Sequence, residues 1–89
     1  MREFRWIRWN IAKCLKHGID PLDAEYVIEH AARPFPQRIE EDKRLVWGQA
    51  EDGTFIQVIY VLDPDDTVFV IHAMWMTEKQ KRQYRRRKR

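Results

Sequence analysis

The sequence predicts an α+β fold. A small antiparallel sheet, a three-stranded meander plus one or two short edge strands, carries an N-terminal helix pair and a C-terminal helix. Three observations lead there. Between Lys43 and Thr77 the runs KRLVWGQ, TFIQVIYVL and TVFVIHAMW are dense in β-branched and aromatic residues, and AEDG and DPDD separate them. Upstream, apolar residues recur at i, i+3 and i+4 behind good capping residues, the mark of two short helices. Downstream, Thr77 with Gln80 three places on is a capping box that opens a third.

In chain order, Phe4 to Trp9 mixes aromatic residues with Arg5 and Arg8, as a short edge strand protected from edge-to-edge pairing would. Asn10 then caps a helix over residues 11–17, with Ile11, Cys14 and Leu15 on its buried face, Gly18 in the left-handed position after it, and Trp9 stapled over Cys14. The second helix has Asp20 as N-cap, Pro21 at N1 and a buried stripe of Ala24, Val27, Ile28 and Ala31, and Pro34 and Pro36 end it by about residue 32. Residues 33–42 read two ways, as an extra edge strand over Arg38-Ile39-Glu40, which we favour, or as a solvated turn over Glu40-Glu41-Asp42.

In the meander, Asp52-Gly53 and Asp63-Pro64-Asp65-Asp66 are the turns. Only Gln57 is strongly polar between Phe55 and Leu62, so this strand is expected to be central or covered on both faces. Strict alternation places Val68, Val70, His72 and Met74 on one face of the next strand and Phe69, Ile71, Ala73 and Trp75 on the other. His72 thus stands in an apolar row. In the last helix Tyr84 is the one sizeable apolar residue, so weak docking and fraying from Arg85 are expected.

Eighty-nine residues make a single domain, 1–89, whose end, 77–89, is a basic helix. That segment holds eight cations against Glu78, hence +7, while the other 76 residues hold nine basic and thirteen acidic groups, hence −4. An acidic body with a cationic end points to a polyanion or an acidic protein surface as partner. No apolar run approaches a membrane span, nothing at the start reads as a signal peptide, and the single Cys14 fits a reducing cytoplasm.

No nucleophile elbow, P-loop, zinc motif or dinucleotide fingerprint is present. Cys14 and His17, three apart, could share a metal, but a core thiol beside a helix-end imidazole is the preferred account, and neither metal nor cofactor is expected. His30 has no evident partner. There remain His17, Lys43, Arg44, His72 and the last helix. Such groups can cleave RNA without a metal, by activating its 2′-OH, neutralising the phosphate and protonating the leaving oxygen.

Trp9-Asn10 leading into Lys16-His17-Gly18-Ile19, then Arg44 to Gly48 with Glu51-Asp52-Gly53, the run Val68 to Ala73, and Met76-Thr77-Glu78-Lys79 through Tyr84 together resemble the BrnT family of small toxins, part of the wider RelE/ParE-like group of bacterial toxin-antitoxin systems. The resemblance implies that fold, an endoribonuclease that blocks translation, and neutralisation by a cognate antitoxin with a ribbon-helix-helix DNA-binding half, through which alone operator DNA would be reached. It also implies an arginine where this chain has Met74. The expected roles are Arg44 on phosphate, His72 and His17 as acid or base, and Lys43, Lys81, Arg82 and Arg85 holding RNA. Two alternatives stand beside this: a catalytically inactive module of the same fold that binds nucleic acid or the antitoxin, and a structural subunit whose apolar strands complete a partner's sheet.

Overall fold

The computed structural model describes residues 2–87, so Met1, Lys88 and Arg89 lie outside the described residues. Helices α1 (Arg8–Lys16) and α2 (Pro21–Glu29) precede strands β1 (Gln37–Arg38), β2 (Arg44–Gln49), β3 (Phe55–Leu62) and β4 (Val68–Trp75), and α3 (Glu78–Arg87) closes the chain. The four strands lie in sequence order in one antiparallel sheet. Both long hairpins use the same device. Gly53 (φ 90°) and Asp66 (φ 69°) take the left-handed position, while Asp52 and Asp65 accept from the amides of Thr54 and Thr67. Residues 33–42 hold a strand, but it is Gln37–Arg38, sharing only Arg38 with the expected Arg38-Ile39-Glu40; it pairs with Leu45 and Arg44, and a turn through Glu41 (φ 46°) then brings the Lys43 amide to the Glu40 carbonyl.

The sheet has two unlike faces. Its inner face presents Val46, Ile56, Val58, Tyr60, Val68, Val70 and Ala73, all buried, beneath α1 and α2. Gly48, opposite Ile56, belongs to this face, and a Cβ there would crowd Val27 Cγ1 at 3.2 Å, so the glycine lets α2 lie close against β2. The outer face presents Leu45, Trp47, Phe55, Gln57, Ile59, Val61, Phe69, His72 and Met74. Helix α3 rests on it together with Phe35, which packs on Trp47, while Trp9 and His17 of α1 reach its edge at Phe69 and His72. Strict alternation along β4 fails at one point: Ile59 is opposite His72 but Tyr60 is opposite Val70, so Ile71 is an extra residue in a β-bulge. The side chains after it exchange faces. Ala73 takes the inner position, and His72, expected beside Val68 and Val70, turns outward.

The N-terminus departs from expectation in the same region. The expected edge strand is reduced to a parallel bridge between Phe4 and Val68, with the Arg5 amide donating to Val68 O and the Val68 amide to Glu3 O. The helix starts at Arg8, not after Asn10. Asn10 lies inside its first turn, fully buried, where Oδ1 accepts from the Ile7 amide (2.7 Å) and Nδ2 donates to Arg5 O (3.0 Å). Trp9 does not staple Cys14. It is half exposed and stacks on Phe69, while Leu15, expected inside, is exposed. Gly18 (φ 73°) ends the helix as expected, sending its amide to Leu15 O and that of Ile19 to Cys14 O.

Helix α2 keeps its expected start, with the Asp20 carboxylate accepting from the Leu22 amide (2.8 Å), and buries Ala24, Val27 and Ile28, but it ends at Glu29. Helix α3 has the full capping box: the Thr77 amide donates to Gln80 and the Gln80 amide to the Thr77 hydroxyl. It continues through Arg87, and as expected it is sparsely docked: its backbone lies close to few residues of the other elements, and side chains hold it. Tyr84 is buried between Phe35 and Phe55, Gln80 donates to Gln57, and the cations of Lys81 and Arg85 lie over Phe55 and that of Arg87 over Trp47. Each exposed cation–π contact contributes about 0.5–1 kcal/mol, so three of them rival the roughly 1.5–3 kcal/mol from burying a large apolar side chain.

Because Asn10 satisfies two backbone groups where no water reaches it, Asn10→Ala is expected to cost about 1–3 kcal/mol. A lower urea midpoint at unchanged slope would show it, and an unshifted midpoint would deny Asn10 this role.

Candidate functional site

Helix α1 and β4 meet at the open rim of the sheet. Helix α1 runs along this strand and ends at Gly18, which leaves His17 at the helix terminus. The bulge at Ile71 turns His72 toward the same rim. The two imidazoles meet edge to face with ring centroids 5.9 Å apart, and both are half-buried. Burial first, then the neighbouring His17 and Lys13, hold the pKa of His72 below the ordinary histidine value. His72 is therefore a neutral base at pH 7. Lys13 precedes His17 by one helical turn, so a base, a second imidazole and an ammonium line one rim.

Arg44 does not join them. It is opposite Tyr60 and so directed to the inner side, whereas His72 is opposite Ile59 and directed outward. Its guanidinium Nε is buried without a hydrogen-bond partner, and across the β1–β2 pair it faces Arg38, which donates to Glu41 O. The expectation that Arg44 and His72 serve one phosphate is corrected by this register. Lys43 is held in the 40–43 turn by Glu40 (2.8 Å), whose carboxylate raises the lysine's pKa. It lies just before β2, at the end away from the Gln49–Phe55 pair, six residues or about 20 Å along the strand.

The basic helix occupies the other end of the outer face. Lys81 pairs with Glu78 (3.1 Å) and lies over Phe55 beside Arg85, while Arg82 is exposed. Gln57, the polar residue of β3, joins this end together by accepting from both Trp47 Nε1 (2.9 Å) and Gln80 Nε2 (3.1 Å). Between α3 and the imidazoles the outer face carries Met74, opposite Gln57. Met74, where the resemblance implies an arginine, thus shares the outer face with His72 and carries no charge.

Cys14 is a core thiol, as the preferred account of the Cys14–His17 pair has it. Cys14 is fully buried and its thiol is pushed up to about 11 by burial and by Asp20, which disfavours the thiolate a metal needs. Among the described residues no three His, Cys, Asp or Glu side chains gather as a metal site. His30 does have a partner: its Nδ1 is 2.9 Å from Tyr26 O and its ring stacks on Tyr26. Among the described residues no helix is long and apolar enough to cross a membrane.

Sequence reasoning missed Lys13, Trp9 and Phe69. Trp9, Lys13 and His17 follow at i, i+4 and i+8, a pattern visible only once the helix is started at Arg8.

The lowered pKa of His72 gives stability a definite pH dependence. The unfolded chain binds a proton at this residue near pH 6.5, and the folded chain only at lower pH. Stability is therefore complete above about pH 6.5 and declines as pH falls toward the folded value. The paired carboxylates Glu40, Asp52, Asp63 and Asp65, all lowered, lose their contributions only below the carboxylate range, about pH 4. Thermal unfolding between pH 7.5 and 5.5 should show the fall, and His72→Gln should flatten it; an equal slope in the variant would place the proton elsewhere.

No family model, characterised protein or solved structure matches the chain.

Proposed function

We propose that the chain is the toxin component of a type II toxin-antitoxin system with a RelE/ParE-like fold, acting in the cytoplasm as a metal-independent endoribonuclease under control of a cognate ribbon-helix-helix antitoxin. The observation that carries this reading is the meeting of His17 and His72 beside Lys13 on an open rim. Further support comes from the order of elements, two helices, a meander and a basic helix, which agrees with the resemblance to BrnT toxins.

Neutral His72 accepts the proton of a ribose 2′-OH as O2′ attacks the adjacent phosphorus. The bond from phosphorus to O5′ breaks, and His17 as the acid delivers a proton to that oxygen, leaving a 2′,3′-cyclic phosphate and a 5′-hydroxyl. Lys13 offsets the charge gathering on the phosphate. With centroids 5.9 Å apart, the imidazoles leave no room for a phosphate between them, so it must approach from the solvent side. The cations of α3 hold the strand farther along the outer face.

A second reading is favoured by the inward turn of Arg44 and the neutral Met74: a module of this fold that binds RNA or the antitoxin without cleaving. The two separate in one experiment. On a mixed-sequence RNA, with and without ribosomes and in the presence of EDTA, the ribonuclease should produce cyclic-phosphate ends. His72→Ala and His17→Ala should each lower the rate about 10²-fold or more, and Arg44→Ala about threefold at most. Folded wild-type protein that leaves RNA intact in every condition would eliminate catalysis and leave the binding reading.

A further inference from the structure

We propose that Trp9 and the cations beside it on α1 form a stacking subsite for single-stranded RNA, holding a base of a nucleotide that neighbours the one at His17 and His72. The inference rests on the ribonuclease reading for its register and on its own observations for its chemistry. Trp9 is 48% exposed, and it is not a loose surface aromatic. Its ring lies parallel to that of Phe69 (centroids 6.0 Å, 7° between planes), and Phe69 is backed by the Arg5 guanidinium 4.1 Å from its centroid. Arg5 is in turn clamped through Nε and Nη2 by both oxygens of Asp63, at 2.9 and 3.0 Å. A chain of contacts from carboxylate to guanidinium to phenyl thus ends on an indole open to solvent.

The surroundings of that indole select the ligand's charge. Helix α1 reads RWNIAKCLK and has no carboxylate, while Arg8, Lys13 and Lys16 line a shallow groove of about 560 Å³ with Trp9 and Ala12. The Lys13 ammonium is 5.1 Å from the Trp9 centroid. A flat aromatic surface within a cationic groove suits a base attached to phosphates, because every base has a π face and the cations follow the backbone. Eight helical residues, about 12 Å, separate Trp9 from His17, so the stacked base belongs to a nucleotide beside the scissile phosphate. The same helix face therefore positions the strand and cleaves it.

A fluorescently labelled single-stranded 2′-O-methyl oligonucleotide, which lacks the nucleophile for cleavage, tests this by anisotropy on the full chain. Wild-type protein should bind it with affinity that falls steeply with salt. Trp9→Ala should weaken binding about tenfold and Trp9→Phe by less than threefold. The Lys13→Gln, Lys16→Gln double variant, which keeps the Trp9–Phe69 stack, should reduce the salt slope by about 1.4 through the loss of two phosphate contacts. Binding by folded Trp9→Ala within twofold of wild type, an unchanged salt slope in the double variant, or no binding by wild type would overturn the subsite. Since the probe cannot be cleaved, a Trp9 effect with natural RNA left intact would remove the ribonuclease and keep the subsite; cleavage without a Trp9 effect would do the reverse.

Discussion

One extra residue in β4 decides what the outer rim can do. In a regular ladder His72 would follow Val68 and Val70 into the space beneath α1, where an imidazole must find a hydrogen bond or lose its charge. The bulge at Ile71 lets Ala73 take that inner place and moves His72 to the opposite face. Its position there is only half covered, which explains why its proton affinity is lowered yet the ring stays within reach of solvent. The inner face remains wholly apolar along β4, so the core and the candidate site do not compete for the same side chain.

The second constraint is the placement of α1 at the sheet's edge. The Phe4–Val68 bridge and the buried Asn10 fix where this helix begins, and Gly18 fixes where it ends. A helix set along an edge strand presents a row at i, i+4 and i+8 to that strand's outer side. Trp9 accordingly meets Phe69, and His17 meets His72. Helix α3 is fixed by different means. It reaches the outer face through Tyr84, through the Trp47–Gln57–Gln80 hydrogen bonds and through cations over Phe55 and Trp47, leaving Met74 between itself and the imidazoles. Cation–π docking keeps these charges near the surface, where they remain able to act on an anion.

This arrangement divides the basic residues into groups with different physical situations. Lys43 and Lys81 are paired with Glu40 and Glu78, and such exposed pairs contribute little to stability. Arg5 is bound by Asp63 and braces Phe69. Arg44 is turned inward with a buried, unpartnered Nε. On α1, Arg8, Lys13 and Lys16 share a helix without any carboxylate. Charge counted along the chain ranks the C-terminal segment first, but the positive groups nearest the imidazoles come from a helix whose contribution to net charge is modest.

The strands, their order, both hairpin turns, the α2 cap and the Thr77–Gln80 box were legible in the residues, because each depends on local chemistry: β-branched runs, Asp-Gly and Asp-Pro turns, and side chains bonding the nearest free amides. The candidate site was legible only in part. His17 and His72 stood out as residue types, but their meeting, the turning away of Arg44 and the alignment of Trp9 with Phe69 depend on a bulge and a helix start that no local pattern marks. Face is a property of register, and register is settled by packing between strands far apart in the chain. A shift of one residue reverses every side chain beyond it, so local chemistry could name the strand that carries His72 while only the assembled sheet determined which way it points.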